Sequence, residues 1–235
     1  MKVSKSSRNP LIRSGEERKG ILLQTNVALL LALSMIIFIV PAITRESLFL
    51  NRILLGVIIL SGLFAADFSK TAFRILAVIG TLVILTSGVD LLFRESQSIN
   101  MLIFFLTTLF FIIVTIALVA HVAVAREVYS STLICAINSY LLIGLTLSIL
   151  FLILDFFLPE SFTQINAAEG SLSTFIYYGF VTLTTLGYGD LTPDTALARS
   201  LASFTALFGQ LYLVIIMALI IGKYLSGRNK KSQGV

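Results

Sequence analysis

Apolar residues run along this chain in long blocks, with charged and turn residues gathered between them. The blocks predict helices at 21–43, 48–66, 71–93, 100–125, 131–158 and 197–225, each at least 19 residues long. About 20 apolar residues in a helix cross the ~30 Å of a bilayer's hydrocarbon. The segment 159–196 breaks the rhythm, being too polar to face lipid and too apolar for a plain loop. Within it, 172–184 reads as a short aromatic helix with Ser171 as its capping candidate. Backbone that leaves the helix at membrane depth is tolerated only inside protein or beside a water-filled cavity. The segment is therefore predicted to be a re-entrant hairpin. The expected fold class is an all-α membrane protein, six transmembrane helices with a short helix and loop dipping between the fifth and sixth.

Composition removes the soluble alternative. Hydrophobic residues make up 57% of the chain and charged residues 12%, with a mean hydropathy of +0.99. Soluble domains carry about twice that charged share. The net charge of +5 does not point to nucleic acid, because the basic residues sit at helix ends. With the N-terminus inside, Lys2, Lys5, Arg8, Arg13, Arg18, Lys19, Lys70, Arg74, Arg126, Lys223, Arg228, Lys230 and Lys231 fall on the cytoplasmic side. Only Arg45, Arg52, Arg94 and Arg199 fall outside, together with Glu46, Asp90, Glu95, Asp155, Glu160, Glu169, Asp190 and Asp194. Basic loops stay inside, so both termini are expected in the cytoplasm of a multi-pass plasma-membrane protein. The apolar stretch 21–40 exceeds the 7–15 residues of a signal peptide's core, and no small-residue cleavage site follows. The single Cys135 has no partner for a disulfide or a zinc site and is expected to pack in an apolar interior. No repeat of 20–50 residues is present.

Residues Thr184–Asp190 read T-T-L-G-Y-G-D. Glycines at 187 and 189 permit backbone torsions that put successive carbonyls on one side. The run resembles the potassium-channel signature T-V-G-Y-G-D, with Leu186 where the family usually has valine or isoleucine. The resemblance covers 131–225 well, whereas 1–130 matches only in being four extra spans. It implies a pore loop in which the backbone oxygens of Thr185, Leu186, Gly187, Tyr188 and Gly189 replace the hydration shell of K+. One filter strand supplies a quarter of the oxygens, so a homotetramer is implied. Leu186 and Tyr188 are expected to point off the axis and pack against the short helix. Thr184, Tyr177 and Tyr178 would support the filter from that helix, although the tyrosines also fit an interfacial belt. Asp190 resembles the family's outer-mouth aspartate, which concentrates cations or bonds an aromatic of the short helix; an uninvolved interfacial acid is the plainer alternative. Val181 departs from members that carry a glutamate there. Gly209, twenty residues beyond Gly189, matches the inner-helix hinge glycine, or else serves close helix packing. Gln210 is a candidate for the water-filled cavity. No cofactor is implied, with potassium the permeant ligand.

The resulting organisation is a basic arm at 1–20, a four-helix domain at 21–130, a pore domain at 131–225 and a short tail at 226–235. The arm is expected to lie on anionic lipid as a solvated segment. The fourth run, 100–125, holds no Arg or Lys, so it lacks the charges of a voltage sensor. His121 is either interfacial or a sensor of cytoplasmic pH. A nonselective monovalent cation channel has the same architecture and is the main alternative, given Leu186. The G-x-G-D pattern of 187–190 also fits intramembrane aspartyl proteases with Asp155 as second acid, but both acids are predicted near outer helix ends. A potassium uptake translocase would need four pore repeats. The chain is accordingly expected not to be an enzyme.

Overall fold

In the computed structural model, residues 10–39, 48–65, 68–93, 97–125, 130–163 and 172–232 are described. Ser171, Arg126 and the outer residues Arg45, Glu46, Arg94 and Glu95 lie outside them. The described helices are α1 (Pro10–Ser34), α2 (Leu48–Phe64), α3 (Lys70–Phe93), α4 (Gln97–Val124), α5 (Ser130–Phe157), α6 (Leu172–Leu183) and α7 (Ala196–Ser232). A π-helical turn, Met35–Ile39, continues α1. Two short strands, β1 (Phe162–Thr163) and β2 (Thr192–Pro193), pair antiparallel with Phe162 opposite Pro193 and Thr163 opposite Thr192.

Five of these helices carry apolar windows long enough to cross a membrane, as in an all-α membrane protein: Leu22–Ile39, Lys70–Gly88, Ile99–Val124, Ser130–Phe157 and Ala196–Lys223. Helix α2 is shorter than the run 48–66 suggested. It stops at Phe64 after 17 residues, a rise of ~25 Å and the low end of spanning lengths. Two helix bounds also differ from the predicted runs. Helix α1 begins within the basic arm, at Pro10, a residue whose fixed φ suits the first helical turn. Helix α7 runs past 225 to Ser232.

Helix α5 is the hub. It packs against α4, α6, α1 and α7, while α1–α2, α2–α3 and α3–α4 pack in sequence. The four-helix unit thus rests on its own chain's α5. Fully buried Leu29, Leu33, Ile58, Leu76, Phe110 and Leu118 fill that unit. Polar side chains survive inside α5 because they bond back to their own helix: Ser139 to the Cys135 carbonyl, Thr146 to Leu142 and Ser148 to Gly144.

One polar knot ties α1, the end of α2 and α5 together. The fully buried Asn26 amide donates to the carbonyls of Leu22 at 2.8 Å and Ala65 at 2.7 Å. Asn138 on α5 donates to the Asn26 carbonyl at 2.9 Å. Lipid tails offer no competing donor, so such bonds hold helices together where apolar contact alone discriminates poorly. Replacing Asn26 by leucine leaves the Ala65 carbonyl unpaired. Unfolding of the purified Asn26→Leu protein should show a stability loss of ~1–2 kcal/mol. Unchanged stability would contradict the knot's structural role.

Candidate functional site

The segment Thr184–Asp190 leaves α6 at its C-terminus and remains tied to it. The Thr184 amide donates to the Phe180 carbonyl at 3.0 Å and the Thr185 amide to Thr182 at 3.0 Å. Leu186 and Gly187 both donate to the Val181 carbonyl, at 2.9 and 3.3 Å. The amide groups of Thr184 to Gly187 are thereby turned back toward α6. Positive φ recurs at every second residue: Thr185 at 60°, Gly187 at 56° and Gly189 at 79°. Alternation of this kind prevents the strand from pleating as β structure does. The two glycines carry it without penalty, whereas for a β-branched threonine the left-handed region costs on the order of 1–3 kcal/mol. Two side-chain bonds accompany that strain. Thr185 Oγ1 donates to the Thr184 carbonyl at 2.6 Å, and Gln210 Nε2 from α7 donates to Thr185 Oγ1 at 3.3 Å.

The side chains of Leu186 and Tyr188, expected to pack on the short helix, are 55% and 67% exposed in the single chain, while the backbone bonds to Val181 hold the strand against α6. Val181 itself is buried, and its role in the site is its carbonyl.

The two tyrosines do different work. Tyr177 is exposed and its hydroxyl donates to Asp190 Oδ2 at 2.5 Å, while the Leu191 amide donates to Oδ1 at 3.0 Å. The bond from Tyr177 holds the Asp190 carboxyl below its ordinary pKa. Tyr178 instead is buried in an aromatic cluster, edge-on to Phe151 at 4.8 Å and Phe162 at 5.2 Å, with Phe162 also edge-on to Phe175 at 5.4 Å. Phe162 was not legible as a site residue. Its signal is the β1–β2 pairing, which closes the neck of the loop and presses Phe162 onto α5 and α6. Thr163 and Thr192 bond side chain to side chain across that pair, and the Asp194 amide donates to the Ser161 carbonyl at 2.8 Å. Thr195 then caps α7, accepting the Ala198 amide at 3.3 Å.

Small residues let α5, α6 and α7 meet closely. A Cβ on Gly179 would lie 2.1 Å from Ser148 Oγ, and one on Gly209 would lie 2.2 Å from the Leu183 carbonyl oxygen. Gly209 is therefore a packing point between α7 and the end of α6, within an unbroken helical segment. One turn further, Tyr212 is buried and its hydroxyl donates to the Ala136 carbonyl of α5 at 2.6 Å, with Ser139 Oγ also 2.6 Å away. Gln210, Gly209 and Tyr212 thus join the loop, α6 and α5 from one stretch of α7.

Residues predicted outside this site stay outside it. Cys135 is a buried packing residue, and His121 is half-buried one turn before the end of α4. Asp155 accepts the Ser161 amide while Asp190 is engaged by Tyr177, so the two acids serve different segments. Among the described residues no cluster of three or more His, Cys, Asp or Glu is placed to hold a metal.

Residues 139–226 match a protein family described as an ion channel. The match begins on α5, ends on α7 and contains the whole of the loop. Comparison with curated proteins gives no match.

Two outcomes test this geometry. Because its folded-state pKa is lowered, Asp190 contributes stability that is present above the ordinary carboxylate range and lost as pH falls through its own pKa. Tyr177→Phe should lower the thermal midpoint at neutral pH, and the gap to the unsubstituted protein should shrink on acidification. A gap that persists in acid would refute the Tyr177–Asp190 contribution. Gly209→Ala should destabilise by ~1–3 kcal/mol through overpacking on Leu183, measurable by denaturant unfolding; an unaffected midpoint would mean the helix contact is loose.

Proposed function

We propose that the protein is a potassium-selective channel, passive in its transport and assembled as a homotetramer around the Thr185–Gly189 strand. The observation that carries this reading is the alternating positive φ at residues 185, 187 and 189 on a strand whose amides up to Gly187 turn back to α6. Amides committed to one side leave carbonyls for the other, and four such strands offer the oxygen cage that a dehydrated monovalent cation needs. The exposed Leu186 and Tyr188 and the exposed α7 residues Phe204, Leu207 and Leu211 give adjacent copies an apolar surface to cover. Asp190, ionised and held by Tyr177, would add negative charge at the outer mouth. Helix α6 ends at Leu183, directly before the strand, so its carbonyl end favours a cation beneath the filter.

The rest of the proposal follows from charge. Both termini lie in the cytoplasm and the protein resides in the plasma membrane, with anionic lipid at the basic arm. Helix α4 contains no Lys or Arg, so no arginine ladder moves with it and opening depends weakly on voltage. A nonselective monovalent cation channel remains the second reading, favoured by one observation: the Leu186 side chain is 55% exposed in its own chain. Enzymatic activity plays no part in either.

Purified protein in a planar bilayer under opposed potassium and sodium gradients decides between them. The current should reverse near the potassium equilibrium potential, its open probability should change little with voltage, and Gly187→Ala should abolish it. Sodium passing as readily as potassium would favour the second reading. Steep activation carrying several elementary charges would refute the absence of a sensor.

A further inference from the structure

Helix α7 is attached at three levels. Near the filter Gly209 abuts Leu183, one turn below Tyr212 bonds α5, and much further along Lys223 reaches a different helix altogether. Its Nζ donates to the carbonyl of Val122 at 2.6 Å and to that of Ala123 at 2.8 Å. These are among the last carbonyls of α4, which ends at Val124. The terminal carbonyls of a helix have no partner within it and carry its negative partial charge. The Ala125 amide takes the His121 carbonyl at 3.0 Å, so three consecutive terminal acceptors are occupied, two of them by one ammonium.

Lys223 also ends the apolar window of α7, as Val124 ends that of α4. Both helices leave the hydrocarbon where they touch. The half-buried ammonium has free choice of water there, and it sits instead on two carbonyls of the four-helix unit. From Gly209 to Lys223 is 14 residues, ~21 Å along the helix. In that interval Val214, Met217 and Ile221 are 66%, 54% and 51% exposed. The two Lys223 hydrogen bonds join the end of the interval to α4.

The geometry points to Lys223 as a latch that holds the cytoplasmic end of the pore-lining helix out against α4, coupling the four-helix unit, whose α4 carries no Lys or Arg, to the gate. This rests on the channel reading for its consequence, though not for the contact. Helix α4 lies on α5, so a tie to α4 draws the end of α7 toward the periphery. Once released, the exposed apolar face of α7 gains by closing on the same face of other copies. Loss of the latch therefore favours the shut pore.

The test uses the full chain with spin labels at Val124→Cys and Leu225→Cys, both exposed, diluted with unlabelled chains; Cys135 is buried and left in place. With Lys223 present the distance distribution should be narrow. Lys223→Met keeps the aliphatic stem, removes the ammonium and should give a longer, broader distribution, which Lys223→Arg should largely restore. In bilayers Lys223→Met should lower open probability several-fold while leaving the reversal potential unchanged. An unchanged distance distribution overturns the latch. A changed distribution with equal or higher open probability overturns its role in holding the pore open. If no variant conducts at all, the channel reading fails, while the distance measurement still decides the contact.

Discussion

The structure depends on how the end of α6 accommodates backbone that stops being helical among closely packed apolar helices. Unpaired peptide groups are costly there, so the loop can exist only if protein satisfies them. The Val181 carbonyl accepts two amides, those of Leu186 and Gly187, and Phe180 and Thr182 accept the two before. This arrangement commits the amides of Thr184 to Gly187 to α6. Leu183, the last residue of the helix, is the stop against which Gly209 and so α7 is set. The same turn of α6 thereby positions the strand in front of it and the inner helix beside it.

Around that turn the chain spends its specific contacts in proportion to need. One side is closed by the β1–β2 clasp and the Phe151–Phe162–Tyr178 cluster, and Tyr177 holds Asp190. The opposite side is closed by Gln210 on Thr185 and Tyr212 on α5. The first four helices are joined to this body by few directional bonds, chiefly the Asn26–Asn138 knot and Lys223 at the end of α4. Apolar packing does the rest, as expected where lipid and core are equally apolar and polar bonds supply orientation.

Much of the fold was legible because hydrocarbon thickness imposes element length. The ends of α3, α4 and α5 fall within a few residues of the predicted runs for that reason. Helix α2 ended early and α7 ran on because charge clusters mark where a helix leaves lipid, not where its hydrogen bonding stops. In the site, Gly187 and Gly189 announce their torsions through residue type, whereas Thr185 does not. Its positive φ is imposed by neighbours, and nothing in a threonine's chemistry advertises it. The twenty-residue spacing located Gly209 but not its contact, since whether a small residue bends a helix or admits a neighbour depends on what faces it. Phe162, Asn26 and Lys223 were illegible for a related reason: each acts on a residue far away in sequence.

The central claim is that four chains close around the Thr185–Gly189 strand, since a single strand cannot surround an ion and leaves Leu186 and Tyr188 uncovered. The most direct measurement is the native mass of the purified protein in mild detergent, with potassium present. The account predicts a species of four chains, lost when the exposed Tyr188 is replaced by aspartate. A protein that remains monomeric or dimeric at every concentration would contradict it, because neither assembly completes a filter.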